Sequence, residues 1–323
     1  MNELAPSPAL TRPLRIAITG ISGRFGALLT RRLHRRHTVV GIDRRPFPGA
    51  PADVELHRID IRRKRCEEVF RKGAFDAVVH LNVLHDPRAP SAEHHTFNIQ
   101  GTTRVMHYCQ RYGIGKLVLL SSANVYGPRA DNTQFLTEDA PLMGGDRFPQ
   151  IQDLIGIDML GQSFFWKHPE VETVILRPVH IIGAVKNAPS NYLRLARPWT
   201  LAGFDPMVQL IHEDDVAAAI EAALEPGRQG IFNLAGCEPA PLHHIISLAG
   251  GRPFPLLHFV AEPVLQRLWN LRLTGFPPPE LDHLRYVCMV DATRARAVLG
   301  FTPGHDLDAT LAHLRLTKAL LTP

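Results

Sequence analysis

The sequence predicts an α/β protein built on a doubly wound parallel sheet, with a smaller, mostly helical C-terminal cap. Residues 14–20 (LRIAITG) are a short apolar run ending in Thr-Gly, and residues 25–34 (FGALLTRRLH) place Phe25, Leu28, Leu29 and Leu33 at helical spacing. Between them lies the turn Gly20-Ile21-Ser22-Gly23-Arg24-Phe25-Gly26, so the chain begins as strand, glycine turn and helix. The same alternation of strand and helix then repeats along the first half, at the spacing of a parallel sheet.

The strand at 37–42 (HTVVGI) ends in Asp43, and further strands are expected at 55–59, 77–81, 117–120 and 173–176. Helices are expected at 66–72, 92–112 and 151–167, where apolar residues recur with helical rather than alternating period. The last of these strands closes in Arg177-Pro178, and the pattern then loosens: residues 183–209 are rich in Gly, Pro and Asn. Residues 210–224 (LIHEDDVAAAIEAAL) read as a strand end and a helix, and 238–323 carry many prolines among short helices. This divides the chain into a sheet domain over 14–185, rejoined by 208–236, and a cap formed by 186–207 and 237–323.

The glycine turn has a specific chemical use. Glycines there let the backbone approach a pyrophosphate closely, and the helix that follows offers free N–H groups and the positive end of its dipole. Asp43, at the end of the next strand, is placed to accept hydrogen bonds from both hydroxyls of a ribose, which favours NAD. Arg24, Arg44 and Arg45 could pair with a 2′-phosphate and leave NADP open, although a solvated turn explains Arg45 more simply.

Composition narrows the function classes. Apolar residues make up 45% and charged residues 21% of the 323, ordinary for a soluble globular protein. No apolar run is long enough to span a membrane and residues 1–13 lack signal-peptide character, so a cytoplasmic location is expected. Cys66, Cys109, Cys237 and Cys288 are widely spaced and suggest neither a zinc site nor a disulfide framework. The net charge of +5 is concentrated in residues 1–75, which hold 16 Lys or Arg against 7 Asp or Glu, without the interleaved aromatics or recognition helix of a nucleic-acid binder. The 17 histidines are scattered, and no metal site is expected.

Taken together, the chain resembles the extended short-chain dehydrogenase/reductase family over nearly its whole length, in particular the NAD-dependent sugar-nucleotide epimerase/dehydratase branch. Besides the glycine turn, the resemblance rests on Asp60-Ile61 after the third strand, on His80-Leu81-Asn82-Val83, and on Asn98 in residues 98–102 (NIQGT). It rests also on 121–127 (SSANVYG), 176–183 (LRPVHIIG), 211–216 (IHEDDV), 230–236 (GIFNLAG) and 291–303 (DATRARAVLGFTP). The resemblance implies a Rossmann-type sheet and a cofactor site formed by Gly20, Ser22, Gly23, Arg24, Phe25, Gly26, Asp43, Arg44, Asp60, Ile61, Leu81, Asn82, Val83, Asn98, Ser121 and Pro178. It further implies a small-molecule substrate and a homodimer formed through the helices at 92–112 and 151–167. Ser122 matches the hydroxyl that touches the reacting alcohol or carbonyl.

The family's Tyr-x-x-x-Lys is where the chain departs from the pattern. There the tyrosine moves the alcohol proton while the lysine lowers its pKa and holds the ribose. No tyrosine lies between residues 127 and 191. Counting back from Arg177 puts Gln150 in the tyrosine slot, Leu154 in the lysine slot and Asp158 in place of a glutamate; a second register, with Leu154 and Asp158 in the two slots, loses both groups as well. Gln150 cannot ionise, so it can orient a carbonyl or hydroxyl but not act as an acid or base. Tyr126, His180 and His212 are the other candidates, each with a structural role open to it. Val208 also replaces an arginine that grips pyrophosphate in many nucleotide-sugar enzymes. An NAD-binding oxidoreductase with a degenerate site is therefore expected, against the alternative of a cofactor-binding sensor, scaffold or partner subunit without turnover. The apolar face of 261–274 (Val264, Leu265, Leu268, Leu271) is expected to pack as a cap helix rather than meet a membrane.

Overall fold

The computed structural model describes residues 12–84, 91–145, 149–185, 187–274 and 276–321. Its centre is a seven-stranded sheet with every neighbouring pair parallel. The strands in chain order are β1 (Arg15–Thr19), β2 (Thr38–Asp43), β3 (Glu55–Arg58), β4 (Ala77–His80), β5 (Lys116–Leu120), β6 (Glu172–Pro178) and, much later, a strand formed by Gly230–Leu234. In space the order is that last strand, then β6, β5, β4, β1, β2 and β3. The direction of winding reverses between β1 and β4, and in open parallel sheets ligands bind in the crevice outside the strand ends at such a point.

Alternation along the strands explains why both sheet faces are covered. Ile16, Ile18, Val39, Val79, Val118 and Val174 point into one apolar cluster, and Ala17, Val40, Val78, Leu117 and Ile175 into another. On these faces lie α1 (Arg24–Leu33), α2 (Lys64–Gly73), α3 (Ser91–His95), α4 (Gly101–Arg111) and α5 (Pro149–Lys167). The helix expected at 92–112 is interrupted: α3 and α4 are joined by a π-helical turn, Thr96–Gln100. Such turns re-aim side chains, and this one carries Asn98.

The region read as loose from its Gly, Pro and Asn content is ordered. β7 (His180–Ile182), α6 (Ala188–Arg194), β8 (Trp199–Leu201), β9 (Met207–Val208) and β10 (Leu210–His212) follow β6. Asn187 caps α6, its side-chain oxygen accepting from the Ser190 amide at 2.9 Å, so one of these polar signals marked a helix start. β7 pairs with β10, while β8 and β9 pair with segments some fifty and thirty residues away, partners that no local pattern reveals. Then come α7 (Glu213–Ala223), β11 (Gly230–Leu234), β12 (Ala240–Pro241), α8 (Leu242–Leu248), β13 (Phe254–Leu256), α9 (His258–Asn270), a 3-10 turn (Pro278–Leu284), a π turn (Ala295–Leu299) and α10 (Leu307–Leu321). A third apolar cluster, including Leu193, Leu210, Ile245, Leu265, Leu284 and Leu311, holds this C-terminal part together.

Candidate active site

At the winding reversal the glycine turn closes on itself, with the Gly23 amide donating to the Gly20 carbonyl at 3.0 Å and the Ala27 amide to Gly23 at 2.8 Å. The three glycines do different jobs. Gly20 has φ +78°, and a Cβ on it would lie 2.9 Å from the Leu81–Asn82 backbone. A Cβ on Gly26 would come within 2.5 Å of the Gly20 carbonyl, so α1 packs against β1 only because it is absent. Gly23 has an ordinary φ of −68°, and a Cβ there would stand 3.2 Å from the Gly20 carbonyl oxygen and 3.6 Å from the Arg45 guanidinium. The fold itself requires glycine at 20 and 26 far more than at 23.

Asp43 is buried at the end of β2 and is already hydrogen-bonded: it accepts from the Ser22 amide at 3.2 Å and the Arg45 amide at 2.9 Å. The Arg45 side chain is exposed, as expected of a solvated turn residue, and also reaches this carboxylate at 3.4 Å. Ser22 is held by a bond from its hydroxyl to the Arg45 carbonyl, and Arg24 reaches across to the Ala184 carbonyl at 2.8 Å. Phe25 is half-buried against the core.

Beyond β3, Asp60 is bound on two sides by Arg62 (2.6 and 3.0 Å), and these bonds hold its carboxyl below the ordinary range. Arg44 and Arg62 both lie over Phe97, at 5.1 and 5.2 Å from the ring. The Ile61 side chain is fully buried and fits the space left by Gly101 on α4, where a Cβ would meet it at 2.4 Å. Ile61 therefore presents no surface to the crevice, against the expectation that it contacts a cofactor.

After β4, the Leu81 amide bonds the Thr19 carbonyl at 3.1 Å, and Asn82 and Val83 line the same edge. Asn98 clamps Leu84 from both ends, accepting from its amide at 2.7 Å and donating to its carbonyl at 3.1 Å. It thus shapes the 81–84 segment through the backbone. His80 is sealed between the Thr19 and Thr102 hydroxyls (2.7 and 2.9 Å), and burial pushes its pKa down to about 4, so it is a neutral strut.

At the end of β5 the two serines separate. The Ser121 hydroxyl turns inward and donates to Asp158 at 2.6 Å, while the half-buried Ser122 caps a short turn by accepting from the Asn124 amide at 3.1 Å. Asp158 forms a fully buried two-point ion pair with Arg177 (2.6 and 2.9 Å). Arg177 also donates to the Tyr126 hydroxyl at 2.7 Å, and that hydroxyl donates to Asn233 at 2.7 Å. Tyr126, expected among the catalytic candidates, is buried with its oxygen engaged on both sides, and burial raises its pKa to about 12. Its geometry is that of a core strut, and a base of that pKa has almost no anion at neutral pH. Pro178 continues β6 opposite Leu234.

α5 descends the sheet, with Asp158 level with Ser121 and Gly161 packed on Leu119 and Ile175. Leu154 and Gln150 stand one and two turns higher, about 6 and 12 Å towards the strand ends. Leu154 is 4% exposed and belongs to the sheet core. The Gln150 backbone is helical, and its side chain lies outside the described residues.

His180 begins β7, just past β6, and meets His283 edge to face at 5.4 Å. Burial pushes these imidazoles down to about 4 and 3, so both are uncharged at neutral pH. They line a narrow pocket of about 50 Å³ together with Glu280, whose carboxyl burial raises to about 7. The folded protein holds the Glu280 proton to a higher pH than the unfolded chain does, so this group's contribution is fully present below about pH 4.5 and is lost as pH rises through 7. Glu280→Gln should therefore leave stability unchanged near pH 4 and raise it by about 2–3 kcal/mol at pH 8. Urea midpoints of the two proteins at both pH values measure this, and an equal effect at both would show that Glu280 titrates normally.

His212 caps α7, accepting from the Asp214 amide at 3.2 Å, and stacks on His305 with ring centres 4.0 Å apart. The ligand atoms of His212, Asp214 and His305 lie within 4.8 Å of one another. His305 Nδ1 is bound to Asp215 at 2.9 Å and His212 Nδ1 serves the cap, so both of these nitrogens are engaged at the start of α7. On α9, Leu265 is buried in the cap core, whereas Val264 and Leu271 are exposed.

Comparison with known proteins agrees with this geometry. The model of the NAD dependent epimerase/dehydratase family matches residues 16–235. An uncharacterized protein of Mycobacterium tuberculosis is 28% identical over 306 residues, covering 90% of this chain and 80% of that protein. The UDP-glucose 4-epimerase of Dictyostelium discoideum is 25% identical over 185 residues, 53% of either chain. The solved UDP-glucuronic acid 4-epimerase of Bacillus cereus, in complex with UDP-glucuronic acid and NAD, shares the fold with a TM-score of 0.73 at 19% identity, covering 95% of this chain and 100% of its own. With more than half of its length matched by the family model, the chain belongs to the NAD-dependent epimerase/dehydratase family.

Proposed function

We propose that this protein binds NAD across the winding reversal of its sheet and performs epimerase/dehydratase-like oxidoreduction at a secondary alcohol or carbonyl, with a site that lacks the family's ionisable pair. The observation that carries the reading is the cradle: the Gly20–Gly26 turn, the N-terminus of α1 behind it, and the Asp43 carboxylate beside it. In that cradle the N-terminus of α1 receives the pyrophosphate, Asp43 receives the ribose hydroxyls, and the Arg44–Phe97–Arg62 stack walls the adenine side. NAD, when bound, supplies the hydride acceptor and donor. Ser122 holds the reacting oxygen by hydrogen bonding, and Gln150 can orient it. Neither has the basicity to take the alcohol proton at neutral pH, so that proton passes to solvent water, and the step is slow by the loss of a general base, about 10²–10⁴-fold. A homodimer through α4 and α5 is supported by Met159 and Trp166 on α5, 59% and 77% exposed. Among the described residues no helix is long and apolar enough to cross a membrane, in keeping with the proposed cytoplasmic location.

A second reading, cofactor binding without turnover, is favoured by Leu154, since an apolar side chain built into the core at that position leaves nothing to hold a ribose or tune a base. The cofactor half common to both readings is tested by calorimetry. Gly23→Trp should fold normally yet lose NAD binding, whereas Gly26→Ala should lower thermal stability first, because its clash is with backbone. Asp43→Ala should weaken NAD more than NADP. NAD binding unchanged in Gly23→Trp would remove the basis of the proposal.

A further inference from the structure

The pocket beside His180 has the wrong chemistry for a charged nucleotide. It lies past the end of β6, the strand that pairs with β5, after which Ser122 follows, and its walls include Tyr192, Leu193, Val208, Leu242, Phe276 and Leu284. Among the described residues no lysine or arginine lines it. A diphosphate carries at least two negative charges, and enclosing it without cations costs several kcal/mol per uncompensated charge. The pocket's ionisable groups point the same way: two imidazoles kept neutral by burial and one carboxyl, which repels an anion when ionised and donates a hydrogen bond when protonated. Val208, where the resemblance would have an arginine, is one of the apolar walls rather than an isolated loss. Most of the described residues that share the pocket with Val208 are apolar, so the change reads as a different ligand rather than as decay of the old site.

We infer that this pocket receives the apolar end of a neutral, lipophilic alcohol or ketone, and not the diphosphate of a nucleotide sugar. The inference rests on the oxidoreductase reading above and names its substrate class. Among the described lining residues Glu280, His180 and His283 carry the ionisable groups, enough to orient one hydroxyl or carbonyl oxygen, and the Tyr192 hydroxyl is already bound to the Trp199 carbonyl; the first carbons of the chain enter the narrow space of about 50 Å³ between Leu193, Val208 and Phe276.

The test is a calorimetric titration of the protein, with and without NAD, by a series of methyl ketones from 2-butanone to 2-decanone, and separately by UDP-glucose. Kd is expected to fall about fourfold per added methylene until the pocket is filled, and UDP-glucose should not bind. Val208→Arg should weaken the tightest ketone at least tenfold while leaving the NAD titration unchanged. If that variant does not fold, Leu193→Phe, which fills the pocket without adding charge, should instead shorten the longest ketone accepted. UDP-glucose binding that saturates, or ketone affinity independent of chain length, would overturn the inference. Because the ketone series is also run without NAD, a failure of NAD to bind would count against the oxidoreductase reading alone, and chain-length dependence would still decide this one.

Discussion

Asp158→Ala is expected to cost about 3–5 kcal/mol of stability, the largest loss of any single substitution considered in this protein. The change would leave the Arg177 guanidinium, 1% exposed, without its anion, and would strip the Ser121 hydroxyl of its acceptor. Charges buried in this way are expensive to break and cheap to remove together. Asp158→Leu combined with Arg177→Met should therefore recover most of the loss, since the Tyr126 hydroxyl keeps its bond to Asn233. Urea midpoints of the single and double variants measure the difference. A loss below about 1 kcal/mol for Asp158→Ala would mean that water reaches the guanidinium and that the pair is not structural. A functional readout accompanies the structural one: because Ser121 precedes Ser122 directly, freeing its hydroxyl should loosen the strand end that presents Ser122, the serine proposed to hold the reacting oxygen.

The second large effect concerns chemistry. Gln150→Tyr with Leu154→Lys should raise hydride transfer by about 10²–10⁴-fold, the usual contribution of a positioned acid or base. Both positions lie on the turns of α5 above Asp158, the end nearest Ser122, so the pair would be added to a site whose other parts are in place. Each single change should do less. A tyrosine without its lysine keeps a pKa near 10, and a lysine at position 154 enters a core position that is only 4% exposed, with Asp158 already committed to Arg177. Cofactor absorbance, followed against nucleotide sugars and against lipophilic secondary alcohols, reads the outcome. A double variant that binds NAD and gains nothing on any substrate would favour the binding-only reading. A wild type already as fast as the double, and slowed by Gln150→Ala but not by Ser122→Ala, would place the chemistry on Gln150 instead.

Much of the frame could be read without coordinates because it depends on neighbours in the chain. Short apolar runs marked β1, β2, β4 and β6, helical spacing marked α1 and α5, and the turn between β1 and α1 carried its own glycines. The cap was legible only as a composition. Gly, Pro and Asn in 183–209 suggested loops, yet they mark caps and turns of short elements whose partners lie far along the chain, as when β8 pairs with β13.

Sequence by itself determined the parallel sheet, the cradle of Gly20, Gly23, Gly26 and Asp43, and the absence of a tyrosine and lysine where the family carries them, since each of these is a statement about residue type at a local position. Tertiary structure alone decided what the polar residues do. Ser121, Tyr126 and Asn98 were expected at a ligand, and the fold spends them on Asp158, Arg177 with Asn233, and the Leu84 backbone. Arg45, expected in solvent, is exposed as expected and touches Asp43 only at 3.4 Å. Only packing also revealed that Val208, Glu280 and His283, more than seventy residues apart at the extremes, share one pocket with His180. The physical reason is the same in each case: a polar side chain's role is set by which partner desolvates it and which satisfies it, and those partners come from segments that folding, not sequence order, brings together.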